Sequence, residues 1–275
     1  MTDLKFRVLG PVEVLRDEHS APAPVTGKRS LPVLAGLLIS ANDIVSADQL
    51  IEWAWPAGLP AHPRGALQNA VSRLRQQVGC TRIESLRWGY RLRADASNLD
   101  LLMFEELIAE AETAMSAGLP EVALAALDKS LSLWREPLLG NVDSGPLWHE
   151  AVSSLYERYL RTAETRAELR LQLGLEKDLA GELSRLVRAN PYRERLVGLL
   201  MIALTRGGRR VEALATYDAL RSSLRREMGI DPASVLRDLH MRILRDDPIL
   251  GVPPVSKPRD PEEAHPATAG VTLPT

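Results

Sequence analysis

The sequence is poor in cysteine and in aromatic residues, and both shortages limit what the chain can be. Among 275 residues there is one cysteine, Cys80, which excludes an internal disulfide and a cysteine-based zinc cage. Its thiol is either a reactive group or, as we expect, a small packing residue at a helix end. Aromatic residues make up only 4% of the chain, so leucine and alanine must fill most of the core, which favours helices.

Long apolar runs are also missing. No run approaches the length of a membrane span, and the first residues, MTDLKFRVLG, lack the apolar core of a signal peptide. We therefore expect a cytoplasmic protein with no membrane partner. The histidines are scattered without metal-ligand spacing: His19, His62, His149, His240 and His265. The chain offers no constellation of acid, base and nucleophile, so we expect no enzyme, no metal and no cofactor.

Acidic residues are scarce in one part of the chain. The formal net charge is −2, yet residues 1–95 carry 12 basic and 9 acidic side chains, while the remainder carries 22 and 27. Residues 61–93 hold seven arginines and a single acid, Glu84. Such a concentration of arginine is typical of a surface that binds phosphate.

The arginine-rich segment contains a predicted amphipathic helix over residues 64–78. Its apolar side chains recur at helical spacing and form one stripe: Leu67, Val71, Leu74 and Val78. The other faces carry the side-chain types that contact base edges and phosphates in a major groove: Arg64, Gln68, Asn69, Ser72, Arg73, Arg75 and Gln76. Taken alone, the same pattern also fits a solvated basic face on an ordinary surface helix.

Two short strands follow this helix directly and favour a DNA-contacting helix over an ordinary solvated face. Residues 82–85 and 89–93 are predicted strands around a turn at residues 86–89. A helix followed at once by a basic hairpin is the recognition unit of a winged helix-turn-helix. We therefore expect the helix to bind in the major groove of DNA and the hairpin to act as the wing.

The residues before the recognition helix complete a small winged domain. Residues 5–15 predict one or two short strands, residues 31–40 a buried helix, and residues 42–45 a turn. Ser46 is placed to cap a second helix over residues 47–54. Residues 1–95 are thus predicted to fold as strands, three helices and a hairpin.

Helices dominate the rest of the chain. They are predicted over residues 100–115, 121–134, 147–173, 175–189, 192–206, 209–227 and 233–244. Short loops and units of about 34 residues suggest tetratricopeptide-like hairpins. We predict a mainly α chain with a winged domain at 1–95, an all-helical domain at 96–250 and a disordered tail at 251–275. Because no linker is evident near residues 94–99, we expect the two domains to be in contact.

Short motifs occur in a fixed order along residues 5–250. They are FRVLGPVEV, ALQNAVSRLRQQVG, GYRL, LSLWREPL and a run over residues 190–244 that begins NPYRERL. Together they resemble the Streptomyces antibiotic regulatory protein (SARP) family, and the last run is the most diagnostic. The resemblance implies a winged helix of the OmpR type followed by a bacterial transcriptional activation domain.

The resemblance also implies roles for individual side chains. Arg73 is the first choice for a base contact, and Arg75 is expected to contact a base or a phosphate. In the wing, Tyr90 corresponds to a phosphate-contacting tyrosine and Arg87 to a basic tip in the minor groove. Trp55 corresponds to a tryptophan whose indole N–H contacts a phosphate, although a place in the core fits it equally well.

The chain departs from the family pattern at the start of the first helix. The family carries a Lys-x-Arg pair there, whereas this chain has Lys28 and Arg29 just upstream and Leu31 where the arginine is expected. Phosphate contacts from this corner should therefore be weaker or shifted.

The resemblance implies a function as well. Family members activate secondary-metabolite (antibiotic) gene clusters, bind direct repeats of promoter DNA near the −35 region and recruit RNA polymerase holoenzyme. The expected partners are therefore double-stranded promoter DNA, sigma factor and core polymerase subunits, and a second protomer side by side on the DNA. The alternative from the residues alone is a helical-repeat adaptor that binds protein, which would lack a salt-dependent affinity for DNA.

Overall fold

The computed structural model describes residues 4–16, 21–27, 29–142 and 146–247. The predicted tail at 251–275 and Lys28 lie outside the described residues. The chain divides into two compact units, one up to Arg170 and one from Leu171 onward. Within the described residues, all strands precede residue 93 and helices make up most of the rest, which confirms the predicted mainly α fold class.

The described residues of the N-terminal part form two small antiparallel sheets and three helices. In chain order its elements are β1 (Lys5–Arg7), β2 (Glu13–Leu15), α1 (Ser30–Ile39), β3 (Val45–Ser46), α2 (Ala47–Ala54), α3 (Pro63–Val78), β4 (Ile83–Leu86) and β5 (Gly89–Leu92). Strand β1 pairs with β2, and the second sheet has the order β3-β5-β4. This is the predicted arrangement of strands, three helices and a hairpin.

Local sequence explains the second of these helices. The Ser46 hydroxyl accepts a hydrogen bond from the backbone N–H of Gln49 at 3.1 Å, which satisfies one of the unpaired donors at the start of α2. Leu50, Ile51 and Trp53 of this helix are buried. The capping residue and the apolar spacing predicted from the sequence are both confirmed.

The strand β3 was missing from the sequence prediction, which assigned a turn to residues 42–45. Val45 pairs with Tyr90 and Ser46 with Gly89, so β3 forms only because β5 lies beside it. A two-residue strand has no periodicity of its own, and its partner is more than 40 residues away in the chain. Cys80, expected to be a packing residue, is exposed, and that expectation is wrong.

Seven further helices follow in the part of the chain that the structure describes. They are α4 (Asp100–Ser116), α5 (Pro120–Ser132), α6 (Pro146–Gln172), α7 (Leu179–Ala189), α8 (Glu194–Arg206), α9 (Arg210–Met228) and α10 (Ser234–Leu244). Most agree with prediction to within a few residues. Helix α7 begins four residues later than predicted. Asp178, which immediately precedes it, has a left-handed backbone conformation with φ of 63°.

The winged part packs directly on α4–α6, as the absence of a linker predicted. One apolar core extends from Phe6 in β1 to Leu155 in α6. The ring of Trp148 in α6 lies 5.4 Å from that of Trp53 in α2, and its indole N–H donates to the backbone carbonyl of Trp53 at 3.2 Å. The side-chain amide of Asn141 pairs with both the N–H and the carbonyl of Val12, at 2.7 and 2.9 Å.

Asp100, the first residue of α4, makes a second connection. Its carboxylate accepts hydrogen bonds from the backbone N–H groups of Val8 at 2.8 Å and Leu9 at 3.1 Å, and the Arg135 guanidinium lies 3.5 Å away. Burial raises the pKa of the Asp100 carboxyl to about 6, although these hydrogen bonds and Arg135 act in the opposite direction. A carboxyl group therefore links the start of the helical part to the loop after β1.

The second unit is built from α7–α10. Helix α7 packs on α8, α8 packs on α9, and α10 packs on both α8 and α9. The ring of Tyr217 in α9 stacks on His240 in α10 with centroids 4.0 Å apart. Consecutive helices joined by short loops agree with the helical hairpins predicted for this region.

Candidate nucleic-acid interface

Helix α3 buries the stripe that the sequence predicted. Leu67, Val71, Leu74 and Val78 are each at most 1% exposed, and Ala70 extends the stripe. Six of the predicted DNA-contacting side chains lie on the exposed surface of the helix: Arg64, Gln68, Asn69, Ser72, Arg73 and Gln76. The helix contains no aspartate or glutamate. Its outer surface is therefore polar, positively charged and open to a partner.

The first turn of α3 lies close to α2. Pro63 begins the helix at a position where a missing backbone N–H costs nothing. The Arg64 guanidinium lies 3.6 Å from the Asp48 carboxylate, and both side chains are more than three-quarters exposed. Exposed ion pairs of this kind contribute little to stability, so Arg64 can exchange Asp48 for a phosphate at small cost.

Arg75 has a different environment from the other arginines of α3. Its Nε and Nη2 donate to the backbone carbonyl of Ile83 at 3.0 and 2.8 Å, and Nη2 also donates to the Ser85 hydroxyl at 2.8 Å. The guanidinium thus connects α3 to β4. In this structure Arg75 holds the wing against the helix. Residue type and spacing alone do not distinguish this positioning role from DNA contact.

The segment before α1 lies along the C-terminal half of α3. The Gln77 amide donates to the Thr26 hydroxyl at 2.6 Å and accepts from the Thr26 backbone N–H at 3.1 Å. Gly27 has a φ of 98°, and a Cβ placed there would lie 3.3 Å from the Arg73 guanidinium. The backbone two residues before Arg29 is thus close to the Arg73 guanidinium.

Strands β4 and β5 form the wing. Ser85 pairs with Tyr90 and Leu86 with Gly89, which leaves Arg87 and Trp88 as the connecting residues. At the base of the wing, Glu84 accepts hydrogen bonds from Arg91 at 2.7 Å and from Arg93 at 3.0 Å. These hydrogen bonds, first from Arg93 and then from Arg91, lower the pKa of the Glu84 carboxyl. A single carboxylate thus faces two of the seven arginines counted in residues 61–93.

The two aromatic candidates lie at the edge of the core. Trp55 follows the last residue of α2, is half-buried and packs against the apolar core, whereas its neighbour Trp53 is only 6% exposed. Tyr90 is half-buried in β5 between its strand partners Ser85 and Val45. Each ring keeps part of its surface in contact with solvent, so each can pack on the core and still reach a phosphate.

Sequence reasoning passed over Trp88. Its side chain is 72% exposed at the tip of the wing, and the Arg87 guanidinium carbon lies 4.8 Å from the centre of its ring. Residue type could have pointed to Trp88. The connecting residues of a short hairpin are usually glycine, asparagine or aspartate, and a tryptophan does not stabilise such a turn.

Comparison with known proteins identifies the helical part of the chain. A family model described as the bacterial transcriptional activator domain matches residues 99–244. The regulatory protein DnrI of Streptomyces peucetius is 30% identical over 256 residues, which cover 89% of this chain and 93% of DnrI. The regulatory protein AfsR of Streptomyces griseus is 36% identical over 271 residues, which cover 98% of this chain and 28% of AfsR.

A solved structure extends the similarity to the fold. Mycobacterium tuberculosis EmbR, determined in complex with a low-affinity phosphopeptide, matches with a TM-score of 0.81 and 29% sequence identity. The match covers 90% of this chain and 66% of the EmbR chain.

These matches define the class of the protein as a bacterial transcriptional regulator. The chain belongs to the SARP family of transcriptional activators, as the sequence motifs indicated. It spans about a quarter of the length of the AfsR proteins of Streptomyces griseus and Streptomyces coelicolor, at 28% and 25%. In the part of the chain that the structure describes, no helix is long and apolar enough to cross a membrane.

Proposed function

We propose that this chain is a sequence-specific DNA-binding activator that controls a secondary-metabolite, antibiotic gene cluster. The observation that carries the proposal is the exposed face of α3, where arginine and amide side chains lie together without a carboxylate on the helix. Arginine binds guanine and the amides bind adenine through paired hydrogen bonds in the major groove. A protein acting on promoter DNA in a bacterium works in the cytoplasm.

The arrangement suggests a division of labour among the predicted residues. Base contacts fall to Gln68, Asn69 and Arg73, which are exposed on the middle of α3. Phosphate contacts fall to Arg64, Ser72, Lys28, Arg29, Trp55 and Tyr90, and Arg87 enters the minor groove from the wing. Arg75 acts through the wing that it positions.

The domain organisation of the proposal follows the sequence prediction. Residues 1–95 bind DNA, and residues 96–250 recruit RNA polymerase through sigma factor and core subunits near the −35 region. The family match over residues 99–244 supports an activating role for the helical part. DnrI, RedD and AfsR are regulatory proteins of Streptomyces, which supports an antibiotic pathway as the target.

Two protomers are proposed to bind side by side on direct repeats. One helix and one wing contact only a few base pairs, and specific affinity requires more contact than a single small module provides. On direct repeats the protomers face the same way and meet through unlike surfaces. Half-sites about one helical turn apart, roughly 10–11 bp, place both helices on one face of the duplex.

A protein-binding adaptor is the second candidate. A groove of about 480 Å³ lies between α7, α8 and α9, with Leu200 and Leu204 at its base and Arg188 at its rim. A groove of this kind suits a peptide or a helix. Such an adaptor would show no salt-dependent affinity for DNA.

Selection of duplexes from a random-sequence library by the full chain tests the proposal. We expect a repeated motif in the selected DNA and an affinity that falls steeply as salt rises, because neutralised phosphates release their counterions. Moving the half-sites apart by half a helical turn should abolish cooperative binding, and a full turn should partly restore it. Recovery of no motif, together with a flat salt dependence, would favour the adaptor.

A further inference from the structure

The tip of the wing carries a large aromatic side chain that the fold does not use. Trp88 is 72% exposed, whereas the other tryptophans of the winged part, Trp53 and Trp55, are buried and half-buried. Arg87 covers part of the Trp88 ring, with its guanidinium carbon 4.8 Å from the ring centre. An exposed indole of this size has a strong tendency to be buried against a partner.

The turn does not require this residue. Leu86 and Gly89 are directly paired, so Arg87 and Trp88 are the two connecting residues of a tight hairpin. Glycine, asparagine and aspartate are the residues that stabilise such a connection. Trp88 is therefore a residue whose replacement should leave the fold intact.

The backbone at Trp88 and Gly89 is held by its neighbours. Gly89 packs so closely on β3 that a Cβ at that position would lie 1.9 Å from the Val45 carbonyl oxygen. The Trp88 carbonyl accepts a hydrogen bond from the Ala47 backbone N–H at 3.1 Å. The tip is thus held against the start of α2, and its side chain extends outward.

The wing is also fixed relative to α3. Arg75 of α3 donates to Ser85, which lies three residues before Trp88, at 2.8 Å. This bond ties the hairpin that carries Trp88 to α3. We expect a duplex bound to the exposed face of α3 to reach this hairpin as well.

We propose that Trp88 is a DNA-contacting residue whose ring, with Arg87 stacked on it, enters the minor groove next to the major groove that holds α3. This inference rests on the proposed DNA-binding function. Proteins that bind the minor groove combine arginine with large apolar side chains that pack against sugars or between base steps. Trp88 and Arg87 supply both components in one rigid turn.

Charge favours DNA over a protein surface as the partner of this tip. Arg91 and Arg93 at the base of the wing are paired with Glu84. The contact of Arg87 is with an uncharged ring, which does not neutralise its charge. The aromatic side chain is thus presented together with a cation, as a polyanion requires.

The inference is tested by salt titrations of three variants of the full chain: Trp88→Ala, Trp88→Phe and Arg87→Ala. Each variant is titrated with a duplex that the wild type selected and that contains one half-site. Trp88→Ala should weaken binding by roughly 5- to 150-fold, a range taken from aromatic side chains that stack on single-stranded bases, with the salt slope unchanged. Trp88→Phe should retain most of the affinity. Arg87→Ala should reduce the salt slope by about one.

Two controls accompany these variants. Val235→Ala removes part of a side chain that is 80% exposed in α10, far along the chain from the wing, and should bind as the wild type does. Thermal melting of Trp88→Ala should match the wild type, because the ring has few contacts to lose. Quenching of tryptophan emission on DNA binding should be smaller in Trp88→Ala than in the wild type.

The outcomes separate this inference from the function on which it rests. Unchanged affinity of Trp88→Ala for the single half-site would overturn it, and so would a loss confined to cooperative binding on two half-sites, which would place the ring against a second protomer. If the wild type itself selects no duplex and shows no salt dependence, the DNA-binding function fails before Trp88 is tested.

Discussion

At the scale of single residues, the arginines of α3 divide into two kinds. Arg73 is exposed beside Gly27, whereas Arg75 is hydrogen-bonded to Ile83 and Ser85. Arg73→Ala should weaken binding to the selected duplex by an amount equivalent to about 1–3 kcal/mol and leave the thermal melt unchanged. Arg75→Ala should weaken binding and also lower stability by about 1–3 kcal/mol, because the Ile83 carbonyl and the Ser85 hydroxyl lose their donor.

Arg75→Lys is the matched control for this pair. Lysine keeps the charge but lacks the planar fork that reaches the Ile83 carbonyl with two nitrogens, so it should not restore the melting temperature. If Arg73→Ala lowered the melting temperature and Arg75→Ala did not, the assignment of the two roles would be reversed.

Asp100 gives the protein a pH-dependent term in its stability. Burial raises the pKa of this carboxyl from 3.8 to about 6, so the folded state binds a proton that the unfolded state releases between these values. Protonation of Asp100 therefore stabilises the folded state by about 3 kcal/mol when the pH is below 3.8, the pKa of this carboxyl in the unfolded chain. This stabilisation is lost as the pH rises through about 6. Relative to Asp100→Asn, the wild type should therefore gain stability between about pH 7.5 and about pH 5.

The comparison is made by denaturant unfolding of both proteins across this range. Asparagine keeps an acceptor for the backbone N–H of Val8 or Leu9 but cannot ionise, so its stability should vary less with pH. Other carboxyls have lowered pKa values and titrate in more acidic solution: Glu84, Asp95, Glu212, Glu227 and Asp231. If the free energies of unfolding of the two proteins changed with pH in parallel, Asp100 would ionise as readily in the folded state as in the unfolded state, which would contradict this prediction.

At the scale of elements, helix α3 has one side that supports the core and one that is presented to a partner. Leu74 is fully buried, and Leu74→Ala should destabilise the protein by about 2–5 kcal/mol through the cavity it leaves. Ser72, two residues away and exposed, should tolerate alanine within about 0.5 kcal/mol. Thermal melts of the two variants test this orientation, since equal stability of both would contradict the burial of Leu74.

At the scale of the whole molecule, the winged part depends on the helices that follow it. Leu9, Val12 and Trp53 contribute to a core that continues into α6, and their backbone groups bond to residues of the helical part. A fragment of residues 1–173 should melt cooperatively, whereas residues 1–95 should be far less stable, because this apolar surface would face water.

Circular dichroism melts of the two fragments provide the measurement, and their binding to the selected duplex provides a second one. We expect residues 1–173 to bind a single half-site and residues 1–95 to bind it weakly. Equal melting temperatures would show that the contacts of Asn141 and Trp148 contribute little to the winged fold.

The sequence by itself determined the helices, the hairpin and the outer face of the candidate interface. Helical spacing placed α3 and its buried stripe, the serine at position 46 placed the start of α2, and glycine and proline separated the helices. These features are local, because each depends on residues within a turn or two of one another. The SARP motifs are local in the same sense, and the family match confirmed what they indicated.

Only the tertiary structure decided which of the polar residues are already engaged. The sequence does not distinguish Arg73 from Arg75, Arg91 and Arg93. The partners of the last three, Ile83 and Glu84, lie in β4, and the fold decides where β4 lies beside α3 and β5. Strand β3 exists because β5 lies beside it, and Asp100 is buried because the loop after β1 folds over it. Hydrogen bonds and burial between distant segments depend on where the whole chain places them, which a local pattern of residue types does not record.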